Sequence, residues 1–175
     1  DFGDLIRIRK GHMGINSAVR GIWVANQESG AGKAEAEVIT IASKGNSVRF
    51  GGFSDGPRSN GGAASNPVKG IYAGGYTGSG TRTTQVFSCT IASEGNGQDF
   101  GDLTEGRRNI SGNSNSIRGT FAAGTTAASG TGNNVNTIDF ITIASTGNAQ
   151  DFGDLANPAR SSNMGGSDSH GGIGR

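Results

Sequence analysis

The sequence predicts an all-β protein built on a repeat of about 50 residues. Three observations carry this. One pentapeptide, Asp-Phe-Gly-Asp-Leu, occurs at Asp1–Leu5, Asp99–Leu103 and Asp151–Leu155, and a divergent copy, Arg49–Phe53, stands where a further one is due. The starts at 1, 49, 99 and 151 are 48, 50 and 52 residues apart. A second marker keeps this step: Thr40–Ser43, Thr90–Ser93 and Thr142–Ser145 all read Thr-Ile-Ala-Ser, each followed after one residue by Gly-Asn. Finally, no helical apolar period is found; β-branched and aromatic residues gather in short runs separated by Gly, Ser, Thr and Asn.

Each unit reads as short strands. In the third, Asp99–Leu103 is one strand and the polar stretch Asn109–Ser116 a weak second. Gly119–Ala123 follows, and Ile138–Ala144 is the strongest by β-branched and aromatic content. Clusters such as Ser129–Asn134 read as turns. The run Ala34–Glu37 is too short to stand as a helix. A basic residue before Gly recurs at Arg20-Gly21, Lys69-Gly70, Arg118-Gly119 and His170-Gly171.

Repeats of this length build solenoids, arrays or β-propellers, and about 50 residues falls at the propeller end. The units are 1–48, 49–98, 99–150 and a partial 151–175, about three and a half four-stranded blades in one polypeptide. Propellers have about four to eight blades, so the ring is expected to close by oligomerisation, as a homodimer. Crowded inner strands would suit Ala73-Gly74-Gly75 and Ala122-Ala123-Gly124, and the Phe of each Asp-Phe-Gly-Asp-Leu would fill the wider outer gap. Its Gly would permit a bulge or a close backbone approach.

Composition narrows the function classes. Net charge is +1 with no Lys/Arg run, which disfavours nucleic acid, and no apolar stretch is long enough for a membrane-spanning helix. Cys89 is the single cysteine, read as a small buried strand residue; an intramolecular disulfide is impossible and a cysteine-based zinc site within one chain is not expected.

The unit resembles the kelch repeat. Lys69-Gly70-Ile71-Tyr72-Ala73-Gly74-Gly75-Tyr76 is similar to the kelch strand that ends in a Gly-Gly doublet. Arg20–Ala25 and Arg118–Gly124 are weaker copies, and Arg58, Arg107-Arg108 and Arg160 hold the Arg place after the last strand. Full doublets are rare here, and Phe replaces the bulky Trp of the kelch last strand. The resemblance implies a propeller. The wording of the repeat also looks like that of virion or tail-fibre-like proteins of marine bacteriophages, which implies a virion or extracellular setting.

No chemistry-bearing constellation emerges. Asp-Phe-Gly lacks the other kinase motifs. His12 and His170 are the only histidines, His12 lies near a kelch Gly-His place that is structural in that family, and Tyr72 and Tyr76 alone do not make a copper-radical site. Gly30–Ala34 is an incomplete P-loop, Asn109-Ile110-Ser111 a glycosylation sequon, and Ser54-Asp55-Gly56 and Ser167-Asp168-Ser169 fail as sialidase boxes. The Asp pairs 99/102 and 151/154 are expected to bond turn amides rather than cations. The recurrent Arg20, Arg58, Arg107, Arg118 and Arg160 are expected to latch onto the Asp of neighbouring pentapeptides, the alternative being a ring for anions or glycans.

The expectation is a non-enzymatic structural or binding module, with no catalytic, cofactor-binding or metal residues and no cofactor, presenting loops such as Thr77–Thr84 and Thr125–Asn136 to a glycan or protein. A carbohydrate-active propeller enzyme with its residues in these loops, and an intracellular adaptor, are the competing expectations.

Overall fold

The computed structural model describes residues 1–7, 11–24, 35–53, 56, 58–127, 133–156 and 165–166. Arg160, His170, Lys33 and the Ser167–Ser169 box lie outside them. Among the described residues every regular element is a strand: β1 (Met13–Asn16), β2 (Arg20–Val24), β3 (Glu35–Thr40), β4 (Val48–Gly52), β5 (Arg58–Ser59), β6 (Gly62–Ser65), β7 (Lys69–Ala73), β8 (Tyr76–Thr77), β9 (Gln85–Thr90), β10 (Gln98–Asp102), β11 (Ser111–Ser114), β12 (Arg118–Ala122), β13 (Thr137–Thr142) and β14 (Gln150–Asp154).

They form three antiparallel four-stranded sheets, β1-β2-β3-β4, β6-β7-β9-β10 and β11-β12-β13-β14, with a small β5-β8 pair beside them. Each sheet is an antiparallel meander, consistent with a propeller blade; the three described sheets do not close a ring. The repeat is in register throughout: Ile22↔Val38 in the first sheet answers Ile71↔Ser88 in the second and Thr120↔Phe140 in the third. The Asp-Phe-Gly-Asp segments are the fourth strands, so each sheet begins after one pentapeptide and ends on the next.

Both expectations for the glycine of that segment are met. The ladder slips between Asp99 and Gly101, a bulge opposite Phe87 and Val86, and the same slip recurs at Ala36/Glu37 and Ile138/Asp139. A Cβ added at Gly3, Gly51 or Gly101 would also overlap the carbonyl of Gly45, Gly95 or Gly147 in the next unit.

Ala73-Gly74-Gly75 was assigned to an inner strand, and the structure places it differently. Ala73 ends β7, and Gly74 and Gly75, at φ of 64° and 96°, form a left-handed turn whose Gly75 amide donates to the Arg107 carbonyl at 2.8 Å. Ala122-Ala123-Gly124 behaves alike, with Ala123 at φ 60° and Gly124 at 109°. The crowded strands are instead β6 and β11, the first strands of the second and third sheets. A Cβ on Gly112 of β11 would overlap the backbone of Ala63 in β6, and Ser114 Oγ accepts from the Ser65 amide at 3.1 Å while donating to its carbonyl at 2.8 Å. Space at this edge is measured in backbone widths, so glycine, alanine and serine are selected there by sterics.

Apolar side chains fill the spaces between sheets. One core joins Ile15, Ile22, Val24, Val38 and Phe50 of the first sheet to Tyr72, Cys89 and Ile91 of the second. The other joins Ile71, Val86 and Phe100 of the second sheet to Phe121, Ile141 and Ile143 of the third. Because both faces of the middle sheet are covered, its strands read as mixed apolar runs and not as clean alternation.

Candidate functional site

One set of bonds is used three times, to join Asp1–Leu5 to the first sheet, the first sheet to the second and the second to the third. The carbonyls of Phe2, Phe50 and Phe100 accept from the amides of Gly45, Gly95 and Gly147 at 2.9, 3.0 and 2.8 Å. Two residues on, the carbonyls of Asp4, Gly52 and Asp102 accept from Ser47, Gly97 and Ala149 at 2.9, 2.7 and 2.7 Å. The side-chain oxygens of Asn46, Asn96 and Asn148 then accept from the amides of Asp4, Gly52 and Asp102 at 2.9, 2.9 and 3.1 Å. This accounts for the recurrent Gly-Asn. The Gly amide pairs with the preceding fourth strand, and the Asn amide group satisfies an edge N–H of that strand.

The basic positions divide by role. Arg20 Nη1 donates to the Ile91 carbonyl at 3.1 Å and Lys69 Nζ to the Ala144 carbonyl at 3.3 Å, so each reaches the Thr-Ile-Ala-Ser turn of the following sheet. Arg118, at the same place in the third sheet, lies 5.0 Å over the Phe140 ring. Arg107 is fully buried: it donates to Asp139 Oδ2 at 2.7 Å and to the carbonyls of Thr137, Ala123 and Phe121 at 2.8, 3.2 and 3.2 Å. Asp139, also buried, accepts from the Thr104 amide at 3.2 Å and hydroxyl at 2.7 Å. Arg58 donates to Gln85 and stacks 5.4 Å over Phe87.

The Arg latch therefore exists, but its carboxylate partner is Asp139 on a third strand and not the Asp of a pentapeptide. Of the pentapeptide aspartates, Asp151 Oδ1 accepts locally from the Gly153 amide at 2.9 Å and Asp1 Oδ1 from Gly3 at 3.2 Å, whereas Asp102 Oδ1 accepts from the Thr84 hydroxyl at 2.6 Å. Asp139 was missed because a carboxylate inside a strand has no repeat partner in the second unit, where Phe87 takes its place.

One face of the stack carries the loops. The Tyr76–Thr83 loop is closed on itself by Thr77 amide to Thr81 carbonyl at 2.8 Å, Gly80 amide to Thr77 carbonyl at 2.9 Å and the Thr77–Ser79 hydroxyl pair at 2.9 Å. The segment 104–109 separates it from the next loop, with Arg108 5.4 Å over the Tyr76 ring and bridged in backbone to Thr125. Beyond it, Thr126 donates its amide to the Asn133 carbonyl at 3.1 Å. These described segments bring Thr and Ser hydroxyls, the half-buried Tyr76 ring and the Arg108 guanidinium together.

Reactive groups lie away from this face. Burial pushes the Cys89 thiol up to about 12, against a smaller downward pull from its hydrogen bond with Gly70, so it is a neutral packing residue. Burial also raises the Tyr72 phenol, whose oxygen accepts from the Gly61 amide at 3.2 Å. His12 is half-buried, and among the described residues no three His, Cys, Asp or Glu side chains gather as a metal site. No protein-family model matches the chain. No curated protein matches it in sequence.

Proposed function

We propose that this chain is a non-enzymatic structural or binding module, a kelch-like propeller segment whose ring is completed by another copy, with the loop face contacting a glycan or protein in a virion or extracellular setting. The observation that carries the reading is the division of labour among residues. The side chains that recur in each unit (the Asn of Gly-Asn, the basic residue before Gly, the pentapeptide) are engaged in joining or closing sheets. What varies between units sits in the loops, which carry hydroxyls and the half-buried Tyr76 and Arg108 on a hydrogen-bonded backbone. Rigid aromatic and polar groups on ordered loops bind at low entropic cost.

The test is a glycan and peptide array probed with the full chain and with Tyr76→Ala. Binding that Tyr76→Ala abolishes, with its β circular dichroism retained, supports the reading. Turnover of any glycan substrate by the wild-type chain would overturn it.

A further inference from the structure

The stack ends on two unlike faces, each one half of the interior junction. At one end Trp23, Ile39 and Ile41 hold the places that Tyr72, Cys89 and Ile91 hold in the second sheet. Ile41 is 45% exposed, whereas its equivalents Ile91 and Ile143 are 1% and 0% exposed. Beside it lies an apolar groove of about 340 Å³ lined by Phe2, Trp23, Ile39 and Ile41. At the other end Phe152 is 57% exposed, whereas Phe50 and Phe100 are 3% and 1% exposed.

Gly153 makes the second half specific. At Gly3, Gly51 and Gly101 an added Cβ would meet the carbonyl of the next Gly-Asn segment; at Gly153 it meets nothing within 4 Å. Among the described residues no partner faces the Phe152 carbonyl or the Asp154 amide as Gly147 and Asn148 face Phe100 and Asp102. Among the described residues, then, a seat for one more Gly-Asn segment is built and unfilled. The matching surface is on the same chain. Gly45-Asn46-Ser47 is occupied by Asp1–Leu5, which is identical in all five residues to Asp151–Leu155.

We propose that two copies of this chain join head to tail by strand exchange, Asp151–Leu155 of one replacing Asp1–Leu5 on Gly45-Asn46-Ser47 of the other. This rests on the multi-chain reading above and names its junction. The exchanged strands make the same backbone bonds, so the swap itself is nearly neutral. The net drive is burial of Trp23, Ile39 and Ile41 against Phe140 and Phe152, apolar surface that a single copy leaves wet. Two such junctions about a twofold axis would close six sheets into a ring.

The test is light scattering of the full chain over a dilution series, with three variants. The wild type is expected at twice its 17.6 kDa mass. Phe152→Asp, at an exposed side chain, and Gly153→Ala, which fills the seat, are each expected to weaken association by at least roughly tenfold, the scale of losing an interface anchor, with β circular dichroism unchanged. Gly3→Ala crowds only the chain's own Asp1–Leu5 against Gly45, so it is expected to leave association intact or strengthen it. A single-chain mass at every concentration overturns the multi-chain reading and this junction together. A multi-chain mass indifferent to Phe152→Asp and Gly153→Ala overturns the junction alone.

Discussion

Replacing Arg107 by Met removes a guanidinium that is fully buried and paired with a carboxylate at 2.7 Å. The substitution keeps much of the aliphatic volume, so the loss is mainly polar. It strands Asp139 as a buried carboxylate whose remaining donors are the Thr104 amide and hydroxyl, and it leaves the carbonyls of Thr137, Ala123 and Phe121 without that donor. Breaking a buried pair from one side costs about 3–5 kcal/mol. With a urea m-value of about 2–3 kcal/mol/M, the unfolding midpoint should fall by about 1–2.5 M. The double variant Arg107→Met with Asp139→Ala removes both charges and should be less destabilised than the sum of the singles, a coupling of about 1–3 kcal/mol. Equilibrium unfolding followed by circular dichroism at one protein concentration reads all of these. An Arg107→Met midpoint within experimental error of wild type would refute the argument that this pair holds the third sheet to segment 104–109.

Two further perturbations use the repeat as its own control. Ile91→Ala and Ile41→Ala delete the same side chain from the same repeat position, 1% exposed in one case and 45% in the other. On the dilute chain the first should cost about 2–5 kcal/mol and the second under about 1, and equal costs would contradict the stacking order of the sheets. Cys89, held up near 12 in the folded chain against 9.0 when free, should resist a thiol reagent at mildly alkaline pH until the chain opens. The unfolded thiol loses its proton first, so the stability it contributes is complete below 9.0 and declines as pH rises from there towards 12. Labelling of the native chain at the rate of a free thiol would show that the first two sheets do not enclose Sγ.

The repeat, the all-β class and the position of each strong strand were open to reading because they rest on local chemistry. β-Branched runs, turn residues and a fixed step are properties of neighbours along the chain. Ile138–Ala144 was found because its own side chains declare it, and β13 occupies Thr137–Thr142. Contacts between sheets are another matter. That Asn96 bonds the Gly52 amide, that Lys69 reaches Ala144, and that Arg107 meets Asp139 depend on which surfaces face each other across a gap. A motif shows that a residue recurs without showing what it touches, and the buried carboxylate of Asp139 recurs only as Glu37 in the first unit, Phe87 standing there in the second.

By itself, then, the sequence determined the unit: its length, its strands, its punctuation by glycine, and the pentapeptide that begins and ends the three sheets. Tertiary structure alone decided how units meet, because close approach is a property of pairs of backbones. It moved the crowded edge from Ala73-Gly74-Gly75 to β6 and β11 and showed the recurrent Gly-Asn to be a clasp. It also left Phe152 and Ile41 exposed where their repeat equivalents are buried, since burial depends on having a neighbour and the end units of a stack have one fewer.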